Sequence, residues 1–223
     1  MLFSSVDEKL DFLENICDLS KISDEVWDKI VALSMDASGE VRMTVAEKLF
    51  NFSDERSEAV LLELLDDSDY LVRCEACISL QNRKSIGVFN KLLLKTNDQN
   101  YLVRGYAAIS TATIAADYDL NVKFELEACL SGLLADTNEW VTIAALYSLI
   151  LLGKFEYEEQ LLNFLDSNNY QNRSFVLTLL EELIDKKKIK NARELSNALT
   201  TCLQKEKNKQ IYDKISNLLN KLQ

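Results

Sequence analysis

Residues 67–80 read DSDYLVRCEACISL, and the same frame returns at 36–49 as DASGEVRMTVAEKL and at 98–111 as DQNYLVRGYAAIST. Val41-Arg42, Val72-Arg73 and Val103-Arg104 fall 31 residues apart. A period of this length marks a chain built from stacked supersecondary units, each too small to bury its own apolar face. The repeat therefore sets the architecture before any single residue is considered.

Anchoring each unit on the Val of Val-Arg gives Val41, Val72, Val103, Val141, Asn172 and Gln210, with steps of 31, 31, 38, 31 and 38. Two extra seven-residue segments, around Asp117–Lys123 and Asp185–Asn191, account for the longer steps. Three residues before the first five anchors stand Ser38, Asp69, Asn100, Asn138 and Asn169. Their short polar side chains suit the N-cap of a helix, where an oxygen accepts a backbone N–H of the first turn. Apolar or small residues follow at four, five and eight positions past the anchor, as in Val45-Ala46 and Leu49, or Ala107-Ala108 and Thr111. That spacing is one buried stripe of a helix. Upstream of each lies a second apolar run, from Ile30–Leu33 to Leu199–Leu203, on the same steps.

Each unit is thus expected to be a helical hairpin. The chain reads as a single repeat domain over 1–223, with units at about 24–52, 54–83, 85–116, 122–153, 155–185 and 191–223. A lone amphipathic helix at 6–19 is expected to cap the N-terminal end. The fold class expected is all-α: a right-handed α-α superhelix, or solenoid, of about six hairpins plus that capping helix.

Composition agrees and removes several chemistries. Proline is absent and there are 5 glycines, both residues that helix interiors tolerate poorly. Histidine is absent, which takes away the commonest general base and metal ligand. No run of about 18 apolar residues occurs, so no membrane-spanning helix is expected. The acidic first residues do not read as a secretion signal, and 5 cysteines, an odd number, suit a reducing compartment. A cytoplasmic protein is expected. Cys74-Glu-Ala-Cys77 has the spacing of half a zinc site, but nothing completes it, and Cys77 falls where other units have Ala46 and Ala108. A small core residue is the better reading. Asp66-Asp67 and Glu181-Glu182 have no apolar pocket to perturb them, and no glycine-rich phosphate loop exists. No catalytic residue, cofactor or metal is called for, and an enzyme is not expected.

The repeat, through Asp67, Val72-Arg73, Ala76, Leu80 and their equivalents over roughly residues 24–220, resembles the HEAT-repeat family, especially short bacterial repeats similar to those of phycobilisome lyases. The resemblance implies a bacterial origin. It also implies a hydrogen-bonded ladder between adjacent units, here Asp36, Asp67, Asp98 and Asp136 with Arg42, Arg73, Arg104 and Arg173. Thr142 stands where an arginine would be and Ser167 where an aspartate would be, so the ladder is expected to break there. Family members that are DNA glycosylases or di-iron hydroxylases rely on a basic groove or on His-Glu pairs, neither of which is present.

Charge is uneven. Residues 186–223 hold ten Lys/Arg and three Asp/Glu, a net +7, and the rest of the chain carries −18, which together give the formal −11. An acidic body favours basic partners and disfavours nucleic acid and anionic membranes. The expected partner is a protein or peptide with a basic surface, held by the second helices through Glu47, Glu75, Tyr106, Tyr147 and Phe175. Those three aromatic residues either line a groove or pack between helices. Tyr70, Tyr101 and Tyr170 share a position in the first turn, with Trp140 one step later. They are expected to pack on the previous turn, the alternative being an aromatic strip for a partner. The function read from these features is a non-enzymatic interaction module, for example an inhibitor or immunity protein against a basic enzyme. One alternative is an accessory to a lyase or chromophore system. Another is nucleic-acid binding through Lys186–Lys188 and Lys190, with Lys205, Lys207 and Lys209. The oligomeric state is not legible.

Overall fold

Helices in this chain start at short polar side chains whose oxygens reach forward to the first turn. The computed structural model describes residues 3–16, 23–118 and 122–222. One unit, Met1–Asn121, contains α1 (Val6–Ile16), α2 (Asp24–Ser34), α3 (Gly39–Leu49), α4 (Glu55–Leu64), α5 (Tyr70–Leu80), α6 (Ile86–Lys95) and α7 (Tyr101–Asp117). The other, Val122–Gln223, contains α8 (Lys123–Leu133), α9 (Glu139–Leu151), α10 (Glu158–Asn163), α11 (Tyr170–Asp185), α12 (Ala192–Lys205) and α13 (Lys209–Lys221). Short 3₁₀ turns, Phe155–Tyr157 and Phe164–Asp166, flank α10, and no strand occurs among the described residues. Asp69, Asn100, Asn138 and Asn169 cap α5, α7, α9 and α11 by accepting the N–H two residues on. Ser38 holds the equivalent place before α3 without a side-chain cap bond.

The all-α repeat architecture expected from the sequence is the one observed. In the first unit α3, α5 and α7 lie side by side in extensive contact, whereas α2 and α4 meet sparingly. Small residues make this close approach possible: Ala46, Ala76, Cys77, Ala107 and Ala108 are fully buried. The anchors Val41, Val72 and Val103 are fully buried with them. Thr111 takes a leucine's place in the core and satisfies its hydroxyl on the Ala107 carbonyl at 2.7 Å. Truncating a core residue such as Leu49 or Leu80 to alanine would cost about 2–5 kcal/mol.

Helix α1 is the N-terminal helix expected from the sequence, and it stands in register with the second helices. Ser5 accepts the Glu8 N–H at 3.2 Å as the other N-caps do, Leu13 and Ile16 are buried, and α1 packs beside α3. Lys9 holds the arginine position and reaches Asp36 at 2.6 Å. Residues 17–19 of the expected capping segment lie outside the described residues. The last repeat is one residue off. Ile211 is buried while Gln210 is exposed, so the sixth anchor is Ile211 and the preceding step is 39.

Within each unit, arginine–carboxylate pairs tie neighbouring turns together. Arg42 donates to both oxygens of Asp67 at 2.6 and 2.7 Å, and its third nitrogen donates to the Asp36 carbonyl of its own turn at 2.7 Å. Arg73 repeats this with Asp98 at 2.9 Å on both oxygens and with the Asp67 carbonyl at 2.8 Å. Each aspartate also accepts the N–H two residues on: Asp36 from Ser38, Asp67 from Asp69, Asp98 from Asn100, Asp136 from Asn138. Arg104 donates to the Asp98 carbonyl at 3.0 Å. In the second unit Arg173 pairs with Glu206 at 2.9 and 3.2 Å. Glu206 thus completes a rung absent from the expected set. Where serine replaces aspartate, Ser167 accepts the Asn169 N–H and donates to Glu139, which also takes the buried Asn172 amide at 2.5 Å. The interruption is filled by hydroxyl and amide donors gathered on one glutamate.

Arg83 occupies a position where other units have Phe52, Ile114, Leu152 and Leu183. It is 3% exposed and donates to the Leu49 carbonyl, at the negative end of α3, at 2.9 Å. At the ends of α9 and α11 the chain closes in the same way. Gly153 and Lys187 both take positive φ, and the following N–H groups reach back to Leu149 and Leu183.

Burial raises the Asp67 and Asp98 carboxyls, but the bonds from Arg42, Arg73 and the backbone outweigh it and hold both below the usual range. A depressed carboxylate stabilises the fold above its unfolded pKa, and the gain is lost as pH falls through the folded value. Asp98→Ala leaves Arg73 buried without its partner and is expected to cost about 3–5 kcal/mol in urea unfolding at neutral pH. The difference from wild type should shrink progressively below about pH 4. Lys187→Gly relieves a left-handed side-chain penalty and should stabilise by about 1 kcal/mol in the same assay.

Candidate functional site

The face formed by α3, α5 and α7 presents the first unit's acidic and aromatic side chains outward from a tightly packed layer. Glu47, on α3, is exposed, and Glu75 and Tyr106, on α5 and α7, are half-buried. Ile78 and Ile109, one turn on from Glu75 and Tyr106, are also half-buried, while Asn51 and Asn82 are exposed near the helix C-termini. Lys48 is buried along its stem and joins Glu14 of α1 to Glu47, at 2.8 and 3.1 Å. The hydrogen bonds it donates to Glu14 and Glu47 hold its charge on against the cost of burial.

Glu75 differs from the ladder acids. Burial pushes its carboxyl up, and the neighbouring charge of Glu47 pushes it further. No described cation pairs with it. Tyr106 is likewise pushed up, by burial first and then by Cys74 and Glu75. The three side chains therefore form one electrostatic group, with unneutralised negative charge at its centre.

Within the second unit Tyr147 takes the packed placement of the two left open by the sequence. Tyr147 is fully buried, as are Ala144 and Leu151 at neighbouring face positions. The reason lies in α9, which is apolar around its whole circumference and is buried on every side. Phe175 is half-buried and stacks on Trp140, ring centroids 3.6 Å apart and planes 8° from parallel. The sequence set Trp140 beside the edge tyrosines and left Phe175 either in a groove or packed between helices, and the structure stacks the two rings together. Tyr70, Tyr101 and Tyr170, expected to pack inward, are 39%, 40% and 53% exposed.

Cys74 and Cys77 are buried, and burial pushes the Cys74 thiol up to about 12 and Cys77 higher still, which leaves both as unreactive thiols. Cys17 lies outside the described residues. No cluster of His, Cys, Asp or Glu suited to a metal occurs among the described residues, and no described helix is long and apolar enough to cross a membrane. The lysine-rich end is partly neutralised by acids of its own unit, with Lys221 on Glu181 and Asp185, and Lys205 on Asp166.

Stacked hairpins joined by an arginine–aspartate ladder define a helical-repeat protein of the α-solenoid class. Within that class, residues 28–112 match the family model of HEAT repeats. The structure is similar to the X-ray structure of YibA from Escherichia coli, with a TM-score of 0.60 and 18% identity over 96% of this chain and 74% of that one. It is also similar to the complex of CpcE and CpcF of phycocyanin lyase from Nostoc sp. PCC7120, with a TM-score of 0.48 and 14% identity over 92% and 97% of the two chains. An engineered protein gives a TM-score of 0.46 and 17% identity over 90% and 97%. At such identities the likeness is one of fold. No curated protein matches the sequence.

A carboxyl with a raised folded pKa is stabilising only while protonated, and that contribution is lost as pH rises through the folded value. Glu75→Gln should therefore raise the Tm at pH 7 by roughly 2 °C and leave it unchanged near pH 4, read by circular dichroism melting.

Proposed function

We propose that this chain is a non-catalytic protein-interaction scaffold whose first unit holds a basic protein or peptide on the α3/α5/α7 face, through Glu47, Glu75 and Tyr106. The observation that carries this reading is Glu75, a half-buried carboxylate pressed by Glu47 and met by no described cation. A lysine or arginine from a partner would relieve the repulsion, bring Glu75 down into the ordinary carboxylate range, and place its stem against Tyr106 and the Ile78/Ile109 pair. Aromatic anchors with a charged rim are what protein interfaces use. The formal charge of −11 would speed the approach of a cationic partner. An inhibitor or immunity protein acting on a basic enzyme is the specific role that fits such a face.

The reading is tested by pull-down from lysate of the native cell, with the wild-type chain and with Glu47→Ala/Glu75→Ala/Tyr106→Ala. A partner that depends on this face should be retained by wild type, released as salt is raised, and lost by the variant. Retention of the same protein by the variant would refute the face. Because Glu75 must ionise to bind, affinity should also weaken as pH is lowered toward 4.

A further inference from the structure

The first-helix layer of the second unit carries an open groove beside a helix of mixed geometry. Helix α10 spans only Glu158–Asn163 and gives way to the 3₁₀ turn Phe164–Asp166, whereas α12 runs for 14 residues. Helix α12 meets that 3₁₀ turn more than it meets α10. Two adjoining hollows of about 260 and 480 Å³ lie along these elements, and they share Glu159 and Glu194 in their walls. The larger one also takes in Glu156.

The walls are clasped at both ends, so the cleft is preformed. At one end the Glu158 carboxylate accepts the N–H groups of Lys190 and Asn191 at 2.7 and 3.2 Å, pinning the start of α12. At the other, Lys205 reaches Asp166 at 3.4 Å and the Cys202 thiol donates to the Leu165 carbonyl at 3.6 Å. Between the clasps the floor is apolar, made of Leu162, Leu165, Ala198 and Cys202. The rim is predominantly acidic: Glu156, Glu159 and Glu194 are exposed, with Lys190 the one cation among the residues that line the larger hollow.

We propose that this cleft is a second docking surface, which takes a cationic amphipathic segment of a partner protein. Its apolar side chains sit on the Leu162/Leu165/Ala198/Cys202 floor and its lysines or arginines meet Glu159 and Glu194. Charge decides the occupant. An acidic or neutral segment would bring like or unpaired charge against a rim where Glu156, Glu159 and Glu194 outnumber Lys190, and nucleic acid or an anionic membrane would be repelled for the same reason. A preformed groove binds without first paying to order itself, which favours a short segment over a large flat surface. The cleft is independent of the α3/α5/α7 face, and either can fail without the other.

The test uses the full chain, isotope-labelled, titrated with a short amphipathic lysine–leucine peptide. The expected result is saturable amide shifts at Leu162, Ala198 and Cys202. Glu159→Lys/Glu194→Lys should weaken binding by about tenfold or more, since both positions are exposed and their reversal puts like charges face to face. Ala198→Trp, which fills the floor, should abolish the shifts while circular dichroism shows the fold intact. Glu47→Lys on the other face should change nothing at the cleft. The proposal is overturned if the peptide produces no shifts there, if the double reversal binds as tightly as wild type, or if a glutamate–leucine peptide binds equally well.

Discussion

The structure depends on one charged contact made in a place where a stray charge would be costly. Arg42 and Arg73 each place a planar guanidinium between two successive hairpin turns, with two nitrogens on the next turn's aspartate and a third on a carbonyl of their own. The aspartate also accepts the N–H of the N-cap residue two positions on. One carboxylate therefore sets the turn, caps the approach to the helix and fixes the spacing to the preceding hairpin. Arginine can do this because its donors are rigid, planar and always charged, and lysine could not reproduce the forked geometry. Where Lys9 stands in for arginine on α1, a single contact to Asp36 replaces the fork.

The ladder holds the turns, and small residues decide how close the second helices come. With Ala46, Ala76, Cys77, Ala107 and Ala108 at the contact, α3, α5 and α7 approach tightly and their outer positions form a continuous face. Glu47, Glu75 and Tyr106 gather on that face because the repeat spacing puts equivalent positions side by side. Close packing also desolvates Glu75 enough to push its carboxyl upward. In the second unit a cleft lies along α10, its 3₁₀ extension and α12. Both surfaces arise from side chains that the repeat does not require, which is where a scaffold of this kind carries its specificity.

The parts of this fold set by local chemistry were legible in the sequence. N-caps at Asp69, Asn100, Asn138 and Asn169, the buried Val41, Val72 and Val103, and the small residues at the helix contacts all follow from spacing and size. What escaped depends on context that spacing does not encode. The Asn208 cap with Glu206 two residues before it marks the sixth turn, but a degenerate Gln210-Ile211 pair hid the register by one residue. Helix α1 lacks Val-Arg, so its place as a second helix showed only through Ser5, Lys9, Leu13 and Ile16 in combination. Tyr147 occupies a face position by count, yet α9 has no polar side to offer solvent, and a signal for that lay in its unbroken apolar run. The pairing of Trp140 with Phe175 joins residues on neighbouring hairpins at different repeat positions, and no periodicity predicts it. The raised carboxyl of Glu75 and the α10/α12 cleft depend on burial and on helix length, which the pattern of residue types did not specify.

The central claim is that neighbouring hairpins are held in place by the arginine–aspartate rungs, and a double-mutant cycle across Arg42 and Asp67 tests it most directly. Urea unfolding of Arg42→Ala, Asp67→Ala and the double variant should show the double losing less than the sum of the singles, with a coupling of about 1–3 kcal/mol. Costs that add to within about 0.5 kcal/mol would mean that the two side chains do not hold the hairpins together, and would contradict the account.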